Sequence, residues 1–236
     1  MKRTPFLTGF FIIVSFWHVG LCKEDSDFSV VFDHDTVLSN TVVVAENATC
    51  VIKPGVSIRF SGYYRFVVHG LLIAEGTREK PILISCEGRT RGAVEKPCWQ
   101  GLEIRGKSAD AVLRYCRIEG AYRNFIFGTR PNIISCEFVG NHCAIYCSNK
   151  SAAHIKKNRI YRNKYGIVAD YASPMILDNV ITDNNIGILM MRSSSLIAGR
   201  NVVSGNKKDI HSEKSFGENH DAFSLKYIWD FMRQLY

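Results

Sequence analysis

Beyond residue 22 the chain has no apolar run long enough to cross a membrane, and up to residue 213 it has no apolar pattern at the helical period. It carries no nucleic-acid-binding motif, and its Cys and His residues fall at no known zinc or copper spacing. Acidic side chains are the scarcer charge, 22 Asp and Glu against 30 Lys and Arg. These absences argue against a transmembrane span in the mature chain, a helical domain and a sequence-reading nucleic-acid binder.

What stands at the start is a leader. Lys2 and Arg3 precede an apolar run from Phe6 to Val19, followed by Gly20-Leu-Cys22 and the charged Lys23-Glu-Asp-Ser-Asp. This order reads as a cleavable signal peptide over residues 1–22, so the expected location is secreted or periplasmic. A lipid anchor at Cys22 is the lesser alternative, because Leu21 is larger than the residue a lipoprotein cleavage site prefers there. The leader holds two basic residues and no acidic one, leaving 28 Lys and Arg against 22 Asp and Glu, a charge of +6. An exported basic protein suits an acidic partner such as an anionic polysaccharide or cell surface.

The rest of the chain is organised by repetition. Phe138, Ile160, Ile181 and Val203 form one column, Asn141, Asn163, Asn184 and Asn206 a second, and Ile145, Ile167, Ile188 and Ile210 a third, all stepping by 22, 21 and 22. A period in this range means stacked units, each closing its neighbour's apolar face. Within a repeat, Asn158-Arg-Ile160, Asn163 and Gly166-Ile167-Val168 give short β-rich runs broken by Asn, Gly and Ser. A leucine-rich horseshoe would need spaced leucines where these columns hold Ile, Phe and Val. Upstream, Ile118 and Ile126 are expected to continue the columns of Phe138 and Ile145, and Ile52–Ile58, Val68–Thr77, Pro81–Ile84 and Trp99–Ile104 read as further strands.

On these residues the chain resembles right-handed parallel β-helix proteins of the pectin-lyase-like superfamily, in particular those with the carbohydrate-binding and sugar-hydrolase repeat. The resemblance implies an all-β fold, a single-stranded right-handed parallel β-helix of about eight coils over residues 40–212. Residues 23–39 are expected to cap its first coil. Residues 213–236, with Ile228, Phe231 and Leu235 at helical spacing, are expected to form an amphipathic C-terminal helix, as a cap or tail or, through Trp229, a membrane-surface contact. In such a coil equivalent residues stack about 4.8 Å apart, so Asn158, Asn179 and Asn201, below Cys116 and Cys136, should satisfy one another's amides in a ladder.

Candidate chemistry lies on the outer face of one strand column. With Ile118, Phe138 and Ile160 inward, Arg117, Glu137 and Arg159 form one outward row and Glu119, Val139 and Tyr161 the next. Arg117, Glu137, Arg159 and Tyr161 are the candidate ligand-binding residues for a polysaccharide or glycan surface. Glu119 and Glu137, roughly 8 Å apart as diagonal neighbours, are an alternative acid and base pair for a small polysaccharide-degrading enzyme; an ion-pair ladder with the arginines explains the same residues without catalysis. The superfamily's acidic calcium cluster and its clustered aspartates with Gly-His-Gly are both missing, and His69-Gly70 lacks the preceding glycine. No catalytic residue, cofactor or metal is assigned.

Cysteines complete the reading. Cys86 and Cys98 flank a polar insertion that a disulfide would close, an expectation suited to an oxidising compartment. Cys116 and Cys136 are expected as buried free thiols, since parallel side chains fit disulfide geometry poorly. Cys143 and Cys147, with His142 and His154 nearby, are read as core packing, with metal delivery, a role of some relatives of this fold, as the alternative. Asn47-Ala-Thr49 and Asn149-Lys-Ser151 are glycosylation sites if the host is eukaryotic.

Overall fold

A computed structural model of the chain describes residues 28–88 and 96–213. The described residues form strands of three to six residues, and from Gly101–Arg105 to Val202–Ser204 each run is followed at once by a residue of positive φ. Tyr115, Ser135, Lys157, Asp178 and Arg200 take φ between 48° and 57° at one corner of successive coils. Gly120, Gly140, Arg162, Asp183 and Gly205 do the same at the next corner, with φ from 55° to 74°.

Three strands make one turn of the tube, and the turns stack into three parallel sheets of eight strands each. The first sheet runs from Phe28–Phe32 to Ile197–Gly199, the second from Thr36–Leu38 to Val202–Ser204, and the third from Val42–Val44 to Lys208–Ser212. This is the expected parallel β-helix of eight coils. Its inward residues form one continuous core in which Ile118 lies over Phe138, and Phe138 over Ile160 and Ile181. In the third sheet Ile145, Ile167, Ile188 and Ile210 are partners on successive strands, as the columns predict. Phe60 stacks on Trp99 with centroids 4.9 Å apart, and the Trp99 indole N–H donates to the Glu119 carbonyl at 2.9 Å.

Three details differ from the sequence reading. The ladder starts before residue 40: Phe28–Phe32 pairs with Ala48–Ile52 and Thr36–Leu38 pairs with Ser57–Phe60, so residues 28–38 build the first coil instead of covering it. Each coil has a third strand, whose inward column Ile133, Ile155, Ile176 and Ala198 keeps the same step. Ile126 pairs with Cys147 and not with Ile145, because the register shifts between Arg123 and Phe125. Asn124 sits in that irregularity, accepting from the Leu102 N–H and donating to the Ala144 carbonyl. The expected leader at 1–22 and the expected C-terminal helix, from residue 214 on, lie outside the described residues.

Close packing of coils explains one glycine directly. A Cβ at Gly187 would stand 2.6 Å from the Asp209 carbonyl oxygen of the next coil, too near for any side chain. Among the described residues no helix is long and apolar enough to cross a membrane.

Candidate functional site

The outer face of the second sheet carries the charged rows. Arg117, Glu137 and Arg159 are register partners, as are Glu119, Val139 and Tyr161. Because Ile118, Phe138 and Ile160 are buried in the tube, both rows face away from it.

Arg117 bridges the two carboxylates. Its Nε donates to Glu119 Oε2 at 3.1 Å, and its Nη1 donates to Glu137 Oε2 at 2.5 Å and to the Tyr161 hydroxyl at 3.3 Å. Arg159 Nη1 donates to the other Glu137 oxygen at 3.1 Å. Burial works to lower the Arg117 pKa, but the contacts with Tyr161, Glu119 and Glu137 outweigh it and the guanidinium is held more firmly charged than usual. Glu119 is only 2 % exposed, and a guanidinium ties it to Glu137, whereas an inverting acid and base pair leaves that interval for water. The geometry is that of a charge ladder, with its upper end buried.

Below it the face opens. Arg159, Tyr161, Arg162, Val180, Thr182 and Asp183 line a shallow depression of about 250 Å³. The Arg159 guanidinium lies 5.4 Å from the Tyr161 ring centroid, and its side chain is 65 % exposed, so its remaining donors face solvent. Of the four candidate binding residues, Arg159 and Tyr161 border this depression, while Arg117 and Glu137 are spent on the ladder. Sequence reasoning missed Arg162, Thr182 and Asp183. A signal existed: Arg162 and Asp183 occupy the left-handed corner that Gly120, Gly140 and Gly205 hold in other coils, a position costly for a residue with a Cβ.

The Asn columns do structural work. Asn163 Oδ1 accepts from the backbone N–H and Nδ2 of Asn141, Asn184 does the same for Asn163, and Asn206 for Asn184, at 2.9–3.0 Å. Each Nδ2 also reaches a carbonyl of the coil before, Ile118, Phe138, Ile160 and Ile181 in turn. Asp209 ends this column by accepting from Asn206, and Asn158, Asn179 and Asn201 form the second ladder, with Cys136 N–H bonded to Asn158.

Cys86 and Cys98 form a disulfide with Cα atoms 6.0 Å apart. Cys116 and Cys136 are buried free thiols, and Cys116 donates to the Ala74 carbonyl. Hydrogen bonding with Cys136, then burial, raises the Cys116 pKa. Cys147 faces the core beside Ala169, whereas Cys143 packs outside the tube with Val168 and Leu189. Burial raises both thiols, Cys147 to about 12. His142 packs between the rings of Tyr122 and Tyr165, and His154 lies on the first sheet against Asn132. The four candidate metal ligands therefore do not converge, and no group of three or more His, Cys, Asp or Glu suited to a metal ion occurs among the described residues. Asn47 and Asn149 are exposed at turns.

Neither a curated protein nor a solved structure matches the chain. The family described as the right-handed β-helix region matches residues 82–220, and to that family this chain belongs.

Proposed function

We propose that the protein is an exported, non-catalytic β-helix that binds an acidic polysaccharide, or another anionic surface polymer, along the outer face of its second sheet. The observation that carries this reading is the open depression lined by Arg159, Tyr161 and Arg162, where the Arg159 guanidinium lies against the Tyr161 ring and Arg162 adds a second basic side chain to the lining. Guanidinium forks suit carboxylate or sulfate groups, and the ring offers a face for a sugar to stack on. Successive coils stack about every 4.8 Å, so a polymer lying along this face would cross the depression and continue over Val180, Thr182 and the coil beyond. The leader-like start and the Cys86–Cys98 disulfide support an oxidising destination outside the cytoplasm. In this reading Arg117, Glu119 and Glu137 hold Tyr161 in place and take no part in chemistry.

A glycan array on the mature protein tests it. Binding to acidic polysaccharides should fall at least tenfold in Arg159→Ala and in Tyr161→Ala, with no reducing-end or unsaturated product. Product formation that Glu137→Gln abolishes would replace this reading with a hydrolase or lyase using Glu119 and Glu137. Copper or zinc retained through purification would instead revive metal delivery.

A further inference from the structure

The third sheet carries apolar side chains on its outer face, outside the tube. Val168 lies between the inward Ile167 and Ala169, and Leu189 between Ile188 and Met190, so both point away from the core. With Cys143 they form a second buried apolar cluster, joined by Tyr146, Tyr165, Ile186 and Met191. Phe125, Tyr146, Val168 and Leu189 are register partners on successive strands and make a strip over four coils, about 14 Å long at 4.8 Å per coil. By contrast, the matching face of the second sheet carries the charge ladder.

We infer that the chain's own C-terminal segment, residues 222–236, lies as a helix along this strip. Three observations converge on that occupant. The last strand, Lys208–Ser212, belongs to the third sheet, so the chain leaves the coil stack at the edge of this very face. Residues 214–221 then supply enough extended chain, up to about 26 Å, to turn back over it. In the following segment Leu225, Ile228, Met232 and Leu235 are spaced 3, 4 and 3 apart. As a helix they make one apolar stripe about 15 Å long, matching the strip.

A helix of this length is marginal in water by itself and needs an apolar surface to persist. Residues 214–236 hold Lys214, Lys226 and Arg233 against Glu218, Asp221 and Asp230, so the segment has no net charge to draw it to an anionic membrane. The short tether gives the strip an effective concentration in the millimolar range, favouring the same chain over a second copy.

Hydrogen exchange read by mass spectrometry on the mature protein tests this. Amides of residues 222–236 should exchange at least tenfold more slowly than in an unstructured peptide, equally at 1 and 50 µM protein. Val168→Lys on the strip and Ile228→Lys on the segment should each abolish that protection, while Val202→Lys, exposed on the second sheet, should leave it intact. Exchange at the unstructured rate in the parent would overturn the inference. So would protection that survives both strip and segment substitutions, protection that rises with protein concentration, or protection that appears only with phosphatidylglycerol vesicles.

Discussion

At the residue scale, Asp170 is a buried carboxylate held from two neighbouring coils. It is 2 % exposed, accepts from the Tyr146 hydroxyl at 2.6 Å and is gripped bidentately by Arg192. The Arg192 hydrogen bonds, despite burial and aided by Tyr146, hold its carboxyl below the usual range. A depressed carboxyl contributes stability that is present above its unfolded pKa, about 3.9, and lost as pH falls through the folded value. Asp170→Asn should therefore be less stable than the parent at pH 7, and the gap should narrow below about pH 4, measured by urea unfolding across pH. Tyr146 has the opposite sign: burial, then the bond to Asp170, raises its phenol to about 12. Its contribution is complete below pH about 10 and disappears as pH rises through the folded value.

At the scale of elements, what joins one coil to the next is the backbone ladder together with the two Asn columns. Asn163 touches three coils: it accepts two hydrogen bonds from Asn141, donates to the Phe138 carbonyl, and donates to Asn184. Truncating it leaves buried groups of Asn141 and Phe138 unpartnered, each costing about 1–3 kcal/mol. Asn163→Ala should lower the unfolding free energy by about 3 kcal/mol, whereas Asn206→Ala, at the half-exposed end of the column where water can replace part of what is lost, should cost less, about 1–2 kcal/mol. Urea titration of both variants checks the gradient. The Ile and Asn columns were readable from one sequence because stacking requires the same residue type at each rung. The shift at Arg123/Phe125 was not: it depends on how Asn124 bonds to neighbours on two other strands, and nothing local marks it.

For the whole molecule, a stack of eight coils exposes long flat faces, and its function depends on which face carries which chemistry. The excess of basic over acidic residues, 30 against 22, should make binding of an acidic polymer sensitive to salt. We expect affinity to fall several-fold between 50 and 300 mM sodium chloride. In Arg159→Ala the slope should be shallower, because one ion contact is already gone; titration calorimetry at several salt concentrations measures both.

The spacing of identical residues by itself determined that the backbone winds in stacked coils, which residues face inward, and that Arg117, Glu137 and Arg159 share a row, because a strand's alternation and a coil's rise leave no other arrangement. The Cys86–Cys98 pairing was an expectation from flanking an insertion, and the fold supplied the proximity. Only the tertiary structure decided that Glu119 is buried and bound to Arg117, that the open ground lies lower, at Arg159, Tyr161 and Arg162, and that Cys143 and Cys147 face opposite sides of one strand. Those outcomes depend on side chains from coils some twenty residues apart meeting in space, and on how much solvent each one keeps.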